Sequence, residues 1–206
     1  MYAPAPYAET DPEVIAELIA RARLGVLVTH GPEGLFATHL PWLHDRDEGV
    51  LYAHLARVNP HRSLAGDGEA LVVFSGIDAY VSPSWYPSKA VDGRQVPTWN
   101  YEAVHVYGRL AWIDDRDALS GLVERLSDRH EAGRSEPWRV SDAPADYVER
   151  LLRGVVGVRL RITRAEAKRK LGQTKSGLDR AGVIAALDGS SDPRDRAVAE
   201  AMRRLP

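Results

Sequence analysis

The chain contains no cysteine. Disulfides, thiolate metal sites and cysteine nucleophiles are therefore excluded, and the composition suits a reducing compartment. No apolar run approaches the ~20 residues of a membrane-spanning helix. The opening stretch, Met1-Tyr-Ala-Pro-Ala-Pro-Tyr7, lacks the basic and apolar regions of a secretory signal, so a cytoplasmic location is the expectation. An excess of either charge is missing too. With 27 Lys and Arg against 29 Asp and Glu the formal net charge is −2, so any polyanion site must be a local patch. There is no G-x-G-x-x-G, no Walker loop, no G-x-S-x-G elbow and no H-E-x-x-H pair, which removes the sequence case for a Rossmann sheet, hydrolytic chemistry or a zincin site. No internal repeat or low-complexity tract is visible.

What remains is an ordinary globular composition, 44% hydrophobic and 27% charged over 206 residues. A chain of this length can bury roughly 70% of its unfolded surface in a single core. Thr10 or Asp11 can cap a helix over Pro12–Arg23, with Thr10 and Glu13 as a capping box and Val14, Ile15, Leu18, Ile19 and Ala22 on one face. Short strands follow at 24–29, 35–43, 50–55, 70–74 and 79–81, separated by turns at His30–Gly34, Asp45–Gly49 and Gly66–Gly68. Residues 82–97 read as a long loop. A long strand or a bent hairpin covers Thr98 to Ile113, with a kink expected at Gly108. Helices are predicted over 115–130 and 144–153, a strand from Val156 to Ile162, and two short tail helices over 178–187 and 194–205. Many short strands with inserted helices predict an α+β fold built on an antiparallel barrel. The expected organisation is one domain over 1–187 with a helical C-terminal extension over 188–206.

Polar chemistry first crowds a strand end in His54-Leu-Ala-Arg57-Val-Asn59-Pro-His61-Arg62. There a guanidinium, an amide and imidazoles can meet one anion, and arginine matches a phosphate with parallel hydrogen bonds. The plainer reading is a polar turn at a barrel rim. Thr38 and His39 stand beside Pro41, where a strand edge or bulge is expected, although a satisfied wall histidine accounts for the pattern equally well. Six of the seven histidines lie between His30 and His105. Their spacing disfavours zinc, whereas haem needs only one of them. Trp85, Tyr86 and Lys89, and then Trp99 and Asn100, supply flat aromatics beside hydrogen-bonding groups, suited to a planar heteroaromatic ligand or simply to interface packing. From Arg159 to Lys175, seven basic residues face the single acid Glu166. Such a run can bind a polyanion or be a solvated face at a strand-to-helix junction.

Several segments carry a resemblance. Leu27-Val-Thr-His-Gly-Pro-Glu-Gly34, Ala37-Thr-His-Leu-Pro41, His54-Leu-Ala-Arg-Val-Asn-Pro60, Ala79-Tyr-Val-Ser-Pro-Ser-Trp-Tyr86, Val96-Pro-Thr-Trp-Asn-Tyr101, Val140-Ser-Asp-Ala-Pro144 and Lys170-Leu-Gly-Gln173 stand in this order. Together they resemble the PaiB-like family of FMN-binding transcriptional regulators, relatives of the pyridoxamine phosphate oxidase split barrels. A serine often stands where this chain has Gly172. The resemblance implies a split-barrel homodimer with FMN at the subunit interface. It implies phosphate contacts from Arg57, Asn59 and His61 at the end of the strand carrying His54, with Thr38 and His39 beside the ribityl chain and ring. Trp85, Tyr86, Lys89, Trp99 and Asn100 would close the site, and Lys170 and Gln173 would approach the ligand. The family name implies a DNA partner, yet no DNA-binding module is recognisable. A flavin-dependent oxidoreductase and a haem-binding split barrel are the alternative expectations.

Overall fold

Strands form where apolar and polar residues alternate, so that one face of each can be buried. In the computed structural model, which describes residues 1–22 and 24–205, the elements are β1 (Ala8–Glu9), α1 (Pro12–Arg21), β2 (Gly25–Gly31), β3 (Gly34–Leu40), β4 (Leu43–Asp45), β5 (Val50–Ala56), α2 (His61–Leu64), β6 (Ala70–Val81), α3 (Lys89–Asp92), β7 (Thr98–Ile113), α4 (Arg116–Glu131), α5 (Ala145–Arg153), β8 (Val155–Lys170), α6 (Gly177–Asp188) and α7 (Pro193–Arg203). The strands form one eight-stranded sheet in the order β3-β2-β6-β7-β8-β5-β4, with β1 on β8. The pairs β1–β8, β2–β3, β2–β6, β4–β5 and β5–β8 are antiparallel.

The chain divides into two units, and β6, β7 and β8 contribute residues to both. One comprises Met1–Leu18, Ser75–Val104 and Glu166–Pro206; the other comprises Ile19–Phe74 and His105–Ala165. In the second unit the buried side chains oppose one another in register: Leu51 with Leu160, Ala53 with Val158, Leu55 with Val156, and Leu27 with Val72. Each buried leucine of this kind contributes about 1.5–3 kcal/mol relative to an exposed one. Leu122 and Leu126 of α4 pack on Leu43, with Tyr52 and Ile113 beside them. In the first unit, Ala79, Val81, Tyr86 and Leu171 form a core with Val183 and Leu187 of α6 and with Val198, Ala199, Ala201 and Met202 of α7.

Several local expectations are corrected. Of the two caps expected for α1, Asp11 is the one seen to accept: its Oδ1 takes the Glu13 amide at 2.8 Å. The helix ends at Arg21, and Arg23, included in the predicted helix, lies outside the described residues. The strand predicted over 35–43 stops at Leu40 and resumes at Leu43, because Pro41 has no amide hydrogen for the ladder. The strands predicted at 70–74 and 79–81 are one strand, β6, whose inward side slips from even to odd positions at Ser75-Gly76. A slip of one residue, as at a β-bulge, breaks the sequence periodicity without ending the strand. Residues 82–97 contain a 3-10 turn at Pro83–Trp85 and the short α3. β8 runs on to Lys170, so the basic stretch lies largely on a strand and not at a strand-to-helix junction.

Candidate functional site

In the second unit, the strand-end residues separate into distinct environments. His61 opens α2 and is wholly buried. Its Nε2 lies 3.1 Å from Thr29 Oγ1 and its Nδ1 2.8 Å from Thr38 Oγ1, while Phe36 meets the ring edge-on at 5.1 Å. Asn59 Oδ1 accepts from the His61 amide at 2.9 Å, and Asn59 Nδ2 donates to Thr38 Oγ1 at 3.5 Å. Burial pushes the His61 pKa down. The neutral ring donates from one nitrogen and accepts at the other, and the threonine hydroxyls adapt to either tautomer. Thr38, Asn59 and His61 are thus brought together as a clamp joining β2, β3 and α2. His39, the next residue on β3, is exposed.

Arg57 points elsewhere. Its Nε donates to Arg153 O at 3.1 Å, Nη2 to Val155 O at 2.8 Å and Nη1 to Asp114 Oδ1 at 2.8 Å. Arg62 grips the same carboxylate with both terminal nitrogens, at 2.8 and 2.7 Å. Arg62 first, then Arg57, holds the Asp114 carboxyl below its usual range. Two guanidinium groups share one carboxylate, which leaves local positive charge. Asp115 caps α4, accepting from the Ala118 amide at 2.8 Å, but Asp114 serves the arginines. His54 stands apart in an apolar cavity beside α5.

In the first unit, Lys170 at the end of β8 donates to Thr98 Oγ1 and, at 2.7 Å, to Trp99 O. The Trp99 side chain is 53% exposed and meets Tyr80 edge-on at 6.0 Å, leaving indole surface available to a flat ligand. Lys168 donates to Tyr2 O at 3.2 Å and lies over the Tyr2 and Tyr101 rings. Lys175 donates to Gln95 Oε1 at 2.7 Å and sits over the Tyr86 ring. The hydrogen bonds of all three ammonium groups go to neutral acceptors. Burial lowers the Lys170 pKa, and the charges of Lys168 and Lys175 lower it further. Lys168, Lys175 and Gln95 were not singled out by sequence, although both lysines belong to the basic run.

The remaining candidates of this unit are mostly structural in their contacts. Tyr86 is buried in the core. Trp85 packs against that core, and Lys89 donates to Ser84 Oγ at 3.3 Å. Asn100 is buried with Nδ2 3.4 Å from Met202 Sδ. Gln173 ties its own turn, accepting from the Leu171 amide and donating to Arg169 O.

Burial also depresses the pKa values of His44 and His54. With His61, these folded-state values lie below the ordinary 6.5. Below that pH the unfolded chain takes up protons that the folded chain does not. Their contribution to stability is therefore complete above about pH 6.5 and is lost as the pH falls through 6.5 toward the folded values. The urea midpoint is expected to drop between pH 7.5 and 5.5. A His61 ring titrating near its ordinary value by NMR would contradict this account.

The eight-stranded sheet of this order, with its helices, is that of a split-barrel protein. The same fold occurs in the FAD and haem binding protein of Mycobacterium smegmatis, at 19% identity and a TM-score of 0.62 over 89% of this chain and 80% of that one. It occurs also in the flavocytochrome Anf3 of Azotobacter vinelandii, at 16% identity and a TM-score of 0.60 over 92% and 74%. The family described as "Putative FMN-binding domain" matches residues 1–164. The Bacillus subtilis protein named "Protease synthase and sporulation protein PAI 2" is 31% identical over 98% of this chain and 96% of its own length. The chain belongs to this FMN-binding family, the PaiB-like one its motifs resemble.

Among the described residues no helix is long and apolar enough to cross a membrane, and no group of three or more His, Asp or Glu could hold a metal ion.

Proposed function

We propose that this chain is a cytoplasmic FMN-binding homodimer acting as a PaiB-like transcriptional regulator. In this reading flavin occupancy alters a dimer that acts on DNA. The observation carrying the flavin part is the Lys170 ammonium, bonded to neutral acceptors beside the exposed Trp99 indole. A planar ring can stack on that indole while Lys170 donates to its electron-rich edge. The fit is chemical: partly buried positive charge without a carboxylate acceptor favours an anionic or electron-rich ligand. The phosphate contacts from Arg57, Asn59 and His61 rest on the resemblance. When bound, FMN supplies reversible uptake of reducing equivalents. The regulatory part rests on the likeness to the Bacillus protein along nearly the whole chain.

Lys170→Met tests the flavin site. Losing a charge-assisted hydrogen bond of about 1.5–3 kcal/mol should weaken FMN binding roughly ten- to hundredfold by fluorescence titration. Unchanged affinity in a folded protein removes Lys170 from the site. Light scattering on the loaded protein checks the dimer. A salt-dependent shift of one promoter fragment, absent with non-specific DNA, checks the regulator. The flavoprotein neighbours favour one second reading, a flavin-dependent oxidoreductase. Anaerobic bleaching of the bound flavin by a reduced nicotinamide would support it.

A further inference from the structure

Within the first unit, Asp179 is buried in the first turn of α6, and both of its carboxylate oxygens hold one residue of the 82–97 segment. Oδ1 accepts from the Ser88 amide at 3.0 Å and Oδ2 from the Ser88 hydroxyl at 2.8 Å. The Ser88 amide, first among several donors, holds the Asp179 carboxyl below its usual range. Near neutral pH it is therefore ionised and can only accept. Gly182, nearly one turn further along α6, lets the same segment approach: a Cβ built there would stand 2.3 Å from Trp85 O.

From Ser88 the bonds continue in one direction. The Ser88 hydrogen is given to Asp179, so Ser88 Oγ accepts from Gln95, whose Nε2 lies 2.7 Å away. With Nε2 engaged there, Gln95 presents Oε1 to Lys175, and Lys175 Nζ donates to it at 2.7 Å. An ammonium carries only donors, so it can sit on the oxygen of that amide and not on its nitrogen. The Tyr86 ring faces the same ammonium, 4.5 Å from its centre. An acceptor-only carboxylate at one end thus sets the direction of each bond as far as a donor-only ammonium at the other. Lys175 in turn lies near enough to Lys170 for the two charges to act on each other.

We infer that Asp179 is a positioning residue: by orienting Ser88 and Gln95 it seats the Lys175 ammonium beside Lys170, where it adds a second positive charge to the flavin site. The role in flavin binding rests on the contacts proposed above for Lys170 and Trp99. The seating itself does not.

Asp179→Asn tests the direction of the chain. The side-chain amide has the same shape, and its oxygen keeps the Ser88 amide, which places Nδ2 against Ser88 Oγ. The Ser88 hydrogen then turns toward Gln95, which must present Oε1 to it and Nε2 to Lys175. Donor faces donor, and the ammonium leaves. In the double variant Asp179→Asn with Gln95→Glu, the new carboxylate accepts from Ser88 and Lys175 together, so the seat returns.

The full chain is measured without and with FMN. Without it, the Lys175 Hε protons report the seat by NMR, because the Tyr86 ring current displaces them from the free-lysine position. They are expected to reach that position in the single variant and to return in the double one. With FMN, affinity by fluorescence titration should fall about tenfold in the single variant and recover in the double. Gln95→Leu leaves both Asp179–Ser88 bonds in place and should free Lys175 as well, which serves if Asp179→Asn folds poorly. A Lys175 signal unmoved in the single variants overturns the inference. So does one that Gln95→Glu fails to restore, since a merely loosened segment would not answer to a second carboxylate. Lys175 signals that follow the expected course with FMN affinity unchanged throughout would uphold the seating and count against the flavin site, so the two failures are distinguishable.

Discussion

Arg169→Met is expected to destabilise the protein by about 3–5 kcal/mol, the cost of breaking a buried ion pair by removing one partner. Arg169 Nε lies 2.8 Å from Glu102 Oε1, and its Nη1 lies 3.5 Å from Glu9 Oε2. The side chains of Arg169 and Glu102 are 16% and 2% exposed, so the pair is largely shielded from water. Glu9 also accepts from the Thr10 and Asp11 amides at the start of α1. One guanidinium therefore ties β7 and β8 to the β1–α1 corner. Urea unfolding of the variant gives the cost. The double change Arg169→Met with Glu102→Leu should recover much of it, because apolar residues of similar volume often replace a buried pair without loss. A single variant losing under about 1 kcal/mol would place this pair with ordinary surface bridges. On the flavin contacts proposed above, weaker FMN binding should accompany the loss, since Trp99 and Lys170 lie on the same two strands.

Gly108→Val is the second large effect, at about 2–3 kcal/mol or more. Gly108 is buried in β7, and a Cβ built there would stand 2.2 Å from Arg161 O and 2.6 Å from Leu160 Cδ2. The nearer atom is backbone of β8, so relief requires β7 and β8 to part, and overpacking of this kind typically costs 1–3 kcal/mol. Gly121 provides the control. It sits in α4 with no heavy atom within 4 Å of a built Cβ, so Gly121→Ala should be neutral or stabilising by up to about 1 kcal/mol. Equal effects at the two positions in thermal unfolding would mean that close strand approach is not what Gly108 provides.

Gly108 also shows where sequence reading turns into structure. A glycine inside a strand pattern marks either a bend or a close approach, and the sequence reading took it as a kink. β7 is a continuous strand from Thr98 to Ile113, and the glycine admits a neighbouring backbone. The span of β7 was legible, but not that it is one strand and no hairpin, because its alternation ends at Gly108. β6 was not legible as one strand, because its inward side slips by one residue. β8 was predicted too short, since alternation fades where Arg164, Ala165 and Glu166 stand in succession.

The candidate ligand contacts were legible in kind more than in place. Arg57 was noticed as a guanidinium at a strand end, but its Asp114 partner is 57 positions away. His61 was noticed beside a turn, but its threonine partners on β2 and β3 bury it entirely. Lys170 was singled out, while Lys168 and Lys175, the charges that act on it, stood in the same basic run without distinction.

By itself, then, the sequence determined the strand-rich α+β fold, most element positions and, through its ordered motifs, membership of the FMN-binding family. The fold and elements rest on periodicity and local composition, and the membership on the resemblance of its motifs, all of which a linear chain displays. Only the tertiary structure decided which imidazole is clamped, which arginines share a carboxylate, and which lysines bond to neutral acceptors. Hydrogen-bond and charge partners come from residues far apart in the chain. Only folding brings them within a few ångströms, and desolvation then lowers the pKa values of the buried imidazoles.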